Sequence, residues 1–181
     1  FPHHQNEIAQ TEGVTGKRLA RYWLHSEHLM IERDKMSKSL GNFFTLQDLI
    51  VKGWTPREVR FVLLGAHYRQ QLNFTFASLE AARSALERVE ACLRYLQFSA
   101  GIGELEAVTQ LVAEHEAAFQ AAMDDDLNYP NAVASIFNLI RDVNSLCAQG
   151  KIGQREASEV FAALDRLNSV VGYLEPQQKA V

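Results

Sequence analysis

Leu79-Glu80-Ala81-Ala82-Arg83-Ser84-Ala85-Leu86-Glu87-Arg88-Val89-Glu90-Ala91-Cys92-Leu93-Arg94-Tyr95-Leu96 sets the architecture of this chain. Leu79, Ala82, Leu86, Val89, Leu93 and Leu96 recur three and four residues apart, with Glu80, Arg83, Glu87, Arg88, Glu90 and Arg94 between them. That spacing predicts a two-sided helix of about five turns. Val108, Leu111, Val112, Phe119 and Met123 repeat it, as do Val133, Ile136, Phe137, Ile140 and Val143, and then Val160, Leu164, Leu167 and Val171. Four such helices with short connections, punctuated at Pro130 and Gly150, predict an antiparallel bundle over residues 73–181.

Upstream the pattern changes. Thr55-Pro56-Arg57-Glu58 combines a hydroxyl cap, a proline at the first helical position and a carboxylate that can reach back to the cap, so a helix should run from there to about His67. Thr45 and Asp48 predict a shorter capped helix to about Lys52, ended by Gly53. Leu19 to Arg33 has no helical stripe and reads as extended. Pro2 can open a helix to about Glu12, with Gly13 and Gly16 ending it. One extended stretch cannot satisfy its backbone groups in a sheet. Residues 1–53 are therefore expected to end a larger domain that begins before Phe1, and 54–72 to form a connecting helical segment. The fold class is mainly α.

Composition narrows the function classes. The chain has 181 residues, 47% hydrophobic, which is enough to bury a core. No apolar run approaches the roughly 20 residues that span a bilayer, and Phe1-Pro2-His3-His4 does not read as a secretory leader. A cytoplasmic monomer is expected, with no membrane partner. Cys92 and Cys147 should be reduced and packed as small hydrophobes. The net charge of −4 divides unevenly: residues 1–72 carry ten Lys and Arg against seven Asp and Glu, and the rest eight against fifteen. A basic first part suits phosphates.

Lys35-Met36-Ser37-Lys38-Ser39, followed by Leu40-Gly41-Asn42, is a polar loop closed by Gly-Asn. Two ammonium groups three residues apart, with Ser37 and Ser39 beside them, can surround a triphosphate and stabilise the charge that develops on departing pyrophosphate. A generic two-lysine turn would be a solvated surface feature. The five-residue string after an extended stretch is far more specific.

With this loop the chain resembles the class I aminoacyl-tRNA synthetases, and among them the cysteinyl-tRNA synthetases. Phe1-Pro2-His3-His4-Gln5-Asn6-Glu7-Ile8-Ala9-Gln10 resembles that family's zinc-site helix, and Lys35 to Ser39 its signature loop. Ala66-His67-Tyr68-Arg69 and Leu72-Asn73 are similar to its stretch before the bundle, and Ala122 to Pro130 to one inside it. Gln5, Glu27-His28 and Tyr129 depart from the family pattern. The resemblance implies the end of a Rossmann-like α/β catalytic domain followed by the helical bundle. It implies that Lys38 contacts ATP with help from Lys35, and that His3 and Glu7 are two of four zinc ligands. The other two are cysteines expected upstream of Phe1, so the zinc site in this chain is incomplete. Positions four apart share a helix face, and imidazole and carboxylate both bind zinc. Taken alone, His-x3-Glu on a helix would be an ordinary polar pair. The implied partners are ATP with Mg2+, L-cysteine and tRNA(Cys), and the implied reaction is cysteine-tRNA ligation through cysteinyl-adenylate. The chain alone is expected to be inactive.

Asp124-Asp125-Asp126 lacks the spacing of a calcium loop and reads as helix termination and capping of the next helix. Trp23 and Trp54 read as core residues rather than base-stacking ones. His67-Tyr68-Arg69 should close the preceding helix and set the angle to the bundle. Two rivals remain: a ligase joining cysteine to a small amine, and a non-catalytic tRNA-binding helical module in which Arg83, Arg88, Arg94 and Arg141 would matter.

Overall fold

A computed structural model describes residues 2–37 and 41–174. Its elements in chain order are α1 Pro2–Thr15, β1 Leu29–Ile31, β2 Asp34–Lys35, α2 Leu46–Val51, α3 Pro56–Leu63, β3 Leu72–Phe74, α4 Phe76–Gln97, α5 Leu105–Asp124, α6 Tyr129–Ala148 and α7 Gln154–Val171. None of the described helices is long and apolar enough to cross a membrane.

The head is built on a three-stranded sheet of order β2-β1-β3. β1 and β2 form an antiparallel hairpin, and β3 lies parallel to β1 with Ile31 opposite Phe74. The expected extended run from Leu19 reduces to Leu29–Ile31, because only there do partners lie on both sides. Glu27 N, bonded to Tyr68 O at 2.8 Å, is the step leading into the strand. The third strand comes from Leu72–Phe74, a segment read in the sequence only as lying before the bundle.

The hairpin turn is Glu32-Arg33, with φ of 50° and 72°. Left-handed backbone at both central positions matches the twist of a two-residue hairpin, although side-chain-bearing residues adopt it at a cost of about 1–2 kcal/mol each. Long-range bonds hold it: Glu32 N donates to Phe74 O (3.0 Å) and Arg33 N to Asn73 Oδ1 (2.7 Å). The Glu32 carboxylate in turn accepts from Phe76 N in the first turn of α4 (2.9 Å). The hairpin is thereby tied to the start of the bundle.

Both expected capping boxes form. Thr45 and Asp48 cap α2, and Thr55 and Glu58 cap α3, with Pro56 in its first turn. α3 ends at Leu63, short of His67, where Leu64 and Gly65 bond back to Arg60 O and Val62 O. α1 runs through Gly13 to Thr15 and stops at Gly16, whose φ is +63°.

α4 to α7 form the bundle, α5 packing mainly on α6 and α7. Leu96, Ile136, Leu139, Val143 and Val171 are fully buried in its core, each worth about 1.5–3 kcal/mol by area. α3 joins head to bundle: the Phe61 ring meets Phe137 at 6.0 Å and Tyr173 at 5.1 Å. Arg60 Nε donates to Val171 O (2.6 Å) and Arg57 Nε to Tyr173 O (2.9 Å), so two guanidiniums satisfy carbonyls at the negative end of α7. Cys92 and Cys147 are buried and unbridged, and burial pushes the Cys92 thiol up to about 12.

Two readings need correction. Trp23 is 43% exposed and lies against His4 and His25 instead of in a core, because the strand that would have buried it is not formed. Trp54 does pack on the head core. The aspartates end α5 as expected, but the cap of α6 is Asn128, with Pro130 inside the first turn. Asp126 and Leu127 are left-handed, which turns Asp126 away from α6 and toward the head.

Candidate functional site

The signature loop leaves the sheet from β2. Lys35 is exposed on that strand, while Met36 packs on the head core beside Phe44. Asn42 closes the loop from its far side: its Oδ1 accepts from Ser37 N (2.8 Å) and its Nδ2 donates to Lys35 O (3.1 Å). One amide side chain thus holds the residues on either side of Met36. Gly41, with φ of +67°, supplies the reversal that brings Asn42 there. Lys38 and Ser39 lie outside the described residues. Sequence reading used Asn42 only as a loop-closing residue; its bridging role depends on a fold-back that local chemistry does not announce.

His3 and Glu7 are exposed one turn apart on α1. His4, beside His3, faces His25 at 4.8 Å and Trp23 at 5.3 Å, so α1 and the segment after it form an imidazole-indole cluster. His3 and Glu7 carry an imidazole and a carboxylate, donor types that zinc accepts. Among the described residues no group of three or more His, Cys, Asp or Glu gathers to hold a metal ion. Cys92 and Cys147 are buried in the bundle.

At the head-bundle junction, three consecutive residues converge on Asp126. Tyr68 Oη donates to its Oδ1 (2.6 Å), Arg69 Nε lies 2.8 Å from Oδ2, and His67 Nε2 lies 3.0 Å from its backbone oxygen. The Tyr68 hydroxyl bond outweighs the effect of burial and, together with Arg69, holds the Asp126 carboxyl below its usual range. Because Tyr68 O also accepts from Glu27 N, this contact continues into the segment that enters β1. The sequence reading assigned His67 to Arg69 to the interdomain angle but did not pair them with Asp126.

A second junction is formed by Glu58. It accepts from Thr55 N (2.7 Å) and from Arg83 Nε on α4 (2.7 Å), and Arg83 lies over the Trp54 ring at 4.4 Å. Burial would push the Glu58 carboxyl up, yet the Arg83 and Thr55 donors outweigh it and hold it below the ordinary range.

With the sheet, the loop and the bundle in place, comparison with known proteins is informative. Residues 1–84 match the family described as tRNA synthetases class I (C) catalytic domain, and residues 118–175 match the DALR domain. A solved ternary complex of LeuRS, tRNA and LeuAMS from Agrobacterium radiobacter K84 superposes with a TM-score of 0.62 at 20% identity, over 81% of this chain and 20% of that one. That likeness bears on the fold: a class I synthetase head carrying a helical bundle. Among curated relatives, the cysteine-tRNA ligase of Protochlamydia amoebophila is 41% identical over 96% of this chain and 36% of its own length. Those of Solibacter usitatus and Chlamydia pneumoniae are 43% and 44% identical, over 99% and 96% of this chain. Nearly the whole chain is thus similar to cysteine-tRNA ligases, and it spans 36–39% of the length of these relatives.

Proposed function

We propose that this chain works as part of a cysteine-tRNA ligase, which joins cysteine to ATP as cysteinyl-adenylate and passes the cysteinyl group to tRNA(Cys). The family match across residues 1–84, loop included, carries the reading. In the first step the cysteine carboxylate attacks the α-phosphorus and pyrophosphate leaves. Lys38, assisted by Lys35, neutralises the charge growing on that leaving group, and Ser37 and Ser39 add hydroxyl donors. Mg2+ accompanies the ATP. Asn42 keeps the approach to the loop in one conformation, so little reorganisation is needed as the charge develops. In the second step the terminal adenosine hydroxyl of the tRNA takes the acyl group and AMP departs.

His3 and Glu7 would hold zinc together with ligands from outside the described residues. Zinc bound there supplies a preference for a soft thiolate over a hydroxyl. The enzyme would act in the cytoplasm as a monomer. The relatives favour the tRNA substrate over a small amine, being named as tRNA ligases across nearly the whole chain.

Cysteine-dependent pyrophosphate exchange tests the proposal. A full-length enzyme containing this chain should exchange pyrophosphate and charge tRNA(Cys), and Lys38→Ala should lower exchange by about a hundredfold, the loss expected for removing one charged donor to a transition-state oxyanion. Undiminished exchange with both lysines replaced would refute it. The chain alone should show no turnover above a Lys38→Ala control.

A further inference from the structure

A cavity of about 400 Å³ lies in the head between β1 and helices α2 and α3, with Met36 of the signature loop in its wall. That volume is within the range of small-molecule sites. Buried Ile31, Leu49, Val59 and Phe74 line its depth, and half-buried Met36 and Phe44 add to them. Leu46 and Leu63 also line it and are 51% and 45% exposed, so the cavity reaches solvent there. Its one charged lining residue is the exposed Arg60, and no carboxylate lines it.

Charge and shape together specify the occupant. Arg60 gives its Nε to Val171 O (2.6 Å) and makes no ion pair among the described residues, so the terminal nitrogens of its fork remain for an anion. A guanidinium steadied in this way presents planar donors that match a carboxylate. The rest of the lining is apolar, and Phe44 and Phe74 offer aromatic rings. The molecule that fits is flat and apolar with one carboxylate at its edge. Met36 gives such a molecule a consequence. The bonds between Asn42 and Ser37 N and between Asn42 and Lys35 O hold the backbone on both sides of Met36, so pressure on its side chain reaches the loop.

We infer that this cavity binds a small aryl carboxylate, its ring among Met36, Phe44 and Phe74 and its carboxylate on Arg60, and that the occupant slows the chemistry of the loop. The binding stands whatever reaction the chain serves. Only the slowing rests on the ligase reading above.

The test follows the methionine methyl resonances of the full chain during titration with 2-naphthoate and with its uncharged analogue 2-naphthalenemethanol. The chain has three methionines, and Met36 alone lines the cavity, so Met30 and Met123 serve as internal controls. The Met36 methyl should shift saturably with naphthoate at a Kd of about 1 mM or tighter, the affinity that roughly thirteen heavy atoms give at drug-like ligand efficiency. The alcohol should bind about threefold or more weaker, since it cannot pair with Arg60 at the rim. Arg60→Gln should erase that preference, a readout that loss of the Val171 bond alone would not move. Leu63→Trp, which fills the mouth from an exposed position, should weaken both probes about tenfold or more. Melting curves check that both variants are folded, and the two probes on the intact chain decide the matter even if one is not. The inference is overturned if Met36 shows no saturable shift up to about 10 mM naphthoate, tenfold weaker than expected. It is equally overturned if Met30 and Met123 move as much as Met36, or if acid and alcohol bind alike. In the full-length enzyme, saturating naphthoate should lower pyrophosphate exchange about threefold or more, a fraction of what an ångström of misplacement costs, and excess ATP or cysteine should not restore it. Unchanged exchange with Met36 still shifted overturns the slowing. An enzyme that exchanges no pyrophosphate without naphthoate refutes the ligase reading and leaves the binding result in force.

Discussion

Replacing Glu58 with Ala should unfasten α3 from α4. The carboxylate is 5% exposed and closes the capping box on Thr55 while receiving Arg83. Loss of the cap interaction costs about 1 kcal/mol. Removing one partner of a buried pair costs about 3–5 kcal/mol when the other stays trapped. Here the Arg83 side chain is 37% exposed and can turn toward water, so the larger figure does not apply. About 2–3 kcal/mol in total is expected, which for a chain of this size lowers the melting midpoint by about 4–12 °C. Circular dichroism melts at pH 7 measure it. Glu58→Gln, which keeps an acceptor for Thr55 and Arg83, should lose about half as much. Since the folded-state carboxyl lies below its ordinary value, the stabilisation is complete above the unfolded value of about 4.3 and disappears as pH falls through the lower folded value. The gap between wild type and Glu58→Ala should therefore begin to narrow as pH falls below about 4.3 and keep narrowing through the lower folded value. A drop under 2 °C at pH 7, or a gap that widens with acid, would refute the account of Glu58 as a charged fastener.

Two further contacts can be tested in the same way, that of Asn42 in the loop and that of Asp126 at the head-bundle junction. Asn42→Ala removes both bonds that frame Met36; pyrophosphate exchange by the full-length enzyme should fall about tenfold, and the melting midpoint should fall by about 4–8 °C, since two lost bonds at about 1 kcal/mol each make about 2 kcal/mol. Equal exchange by the variant would show that the loop needs no brace. Asp126→Asn keeps an oxygen for Tyr68 but loses the charge that Arg69 faces, so hydrogen exchange of the Glu27 amide and of residues 66–72 should accelerate while the core amides of α6 hold steady. Uniform acceleration throughout the bundle would instead mark Asp126 as a general stability residue.

What could be read in the sequence was what is chemically complete within a few residues. Thr55-Pro56-Arg57-Glu58 holds the cap, the fixed φ and the returning carboxylate in four positions, and the structure forms it as read. The bundle helices were legible because their stripes repeat over many turns, so one misread position changes little. Leu72–Phe74 escaped because three residues carry no period, and its pairing with Leu29–Ile31 is decided by a contact about forty positions away. Trp23 was assigned inward on side-chain type alone, whereas burial depends on whether a neighbouring strand exists to cover it. Asp126 is the clearest case. Its three aspartates advertised a cap, but two left-handed residues redirect the side chain, and the partners Tyr68 and Arg69 lie 58 and 57 positions upstream. The loop belongs to both groups. Its residue types point to phosphate binding locally, but what frames the loop's entry is an amide at Asn42 and a hairpin tied to α4 through Glu32, and neither is visible until the chain has folded back on itself.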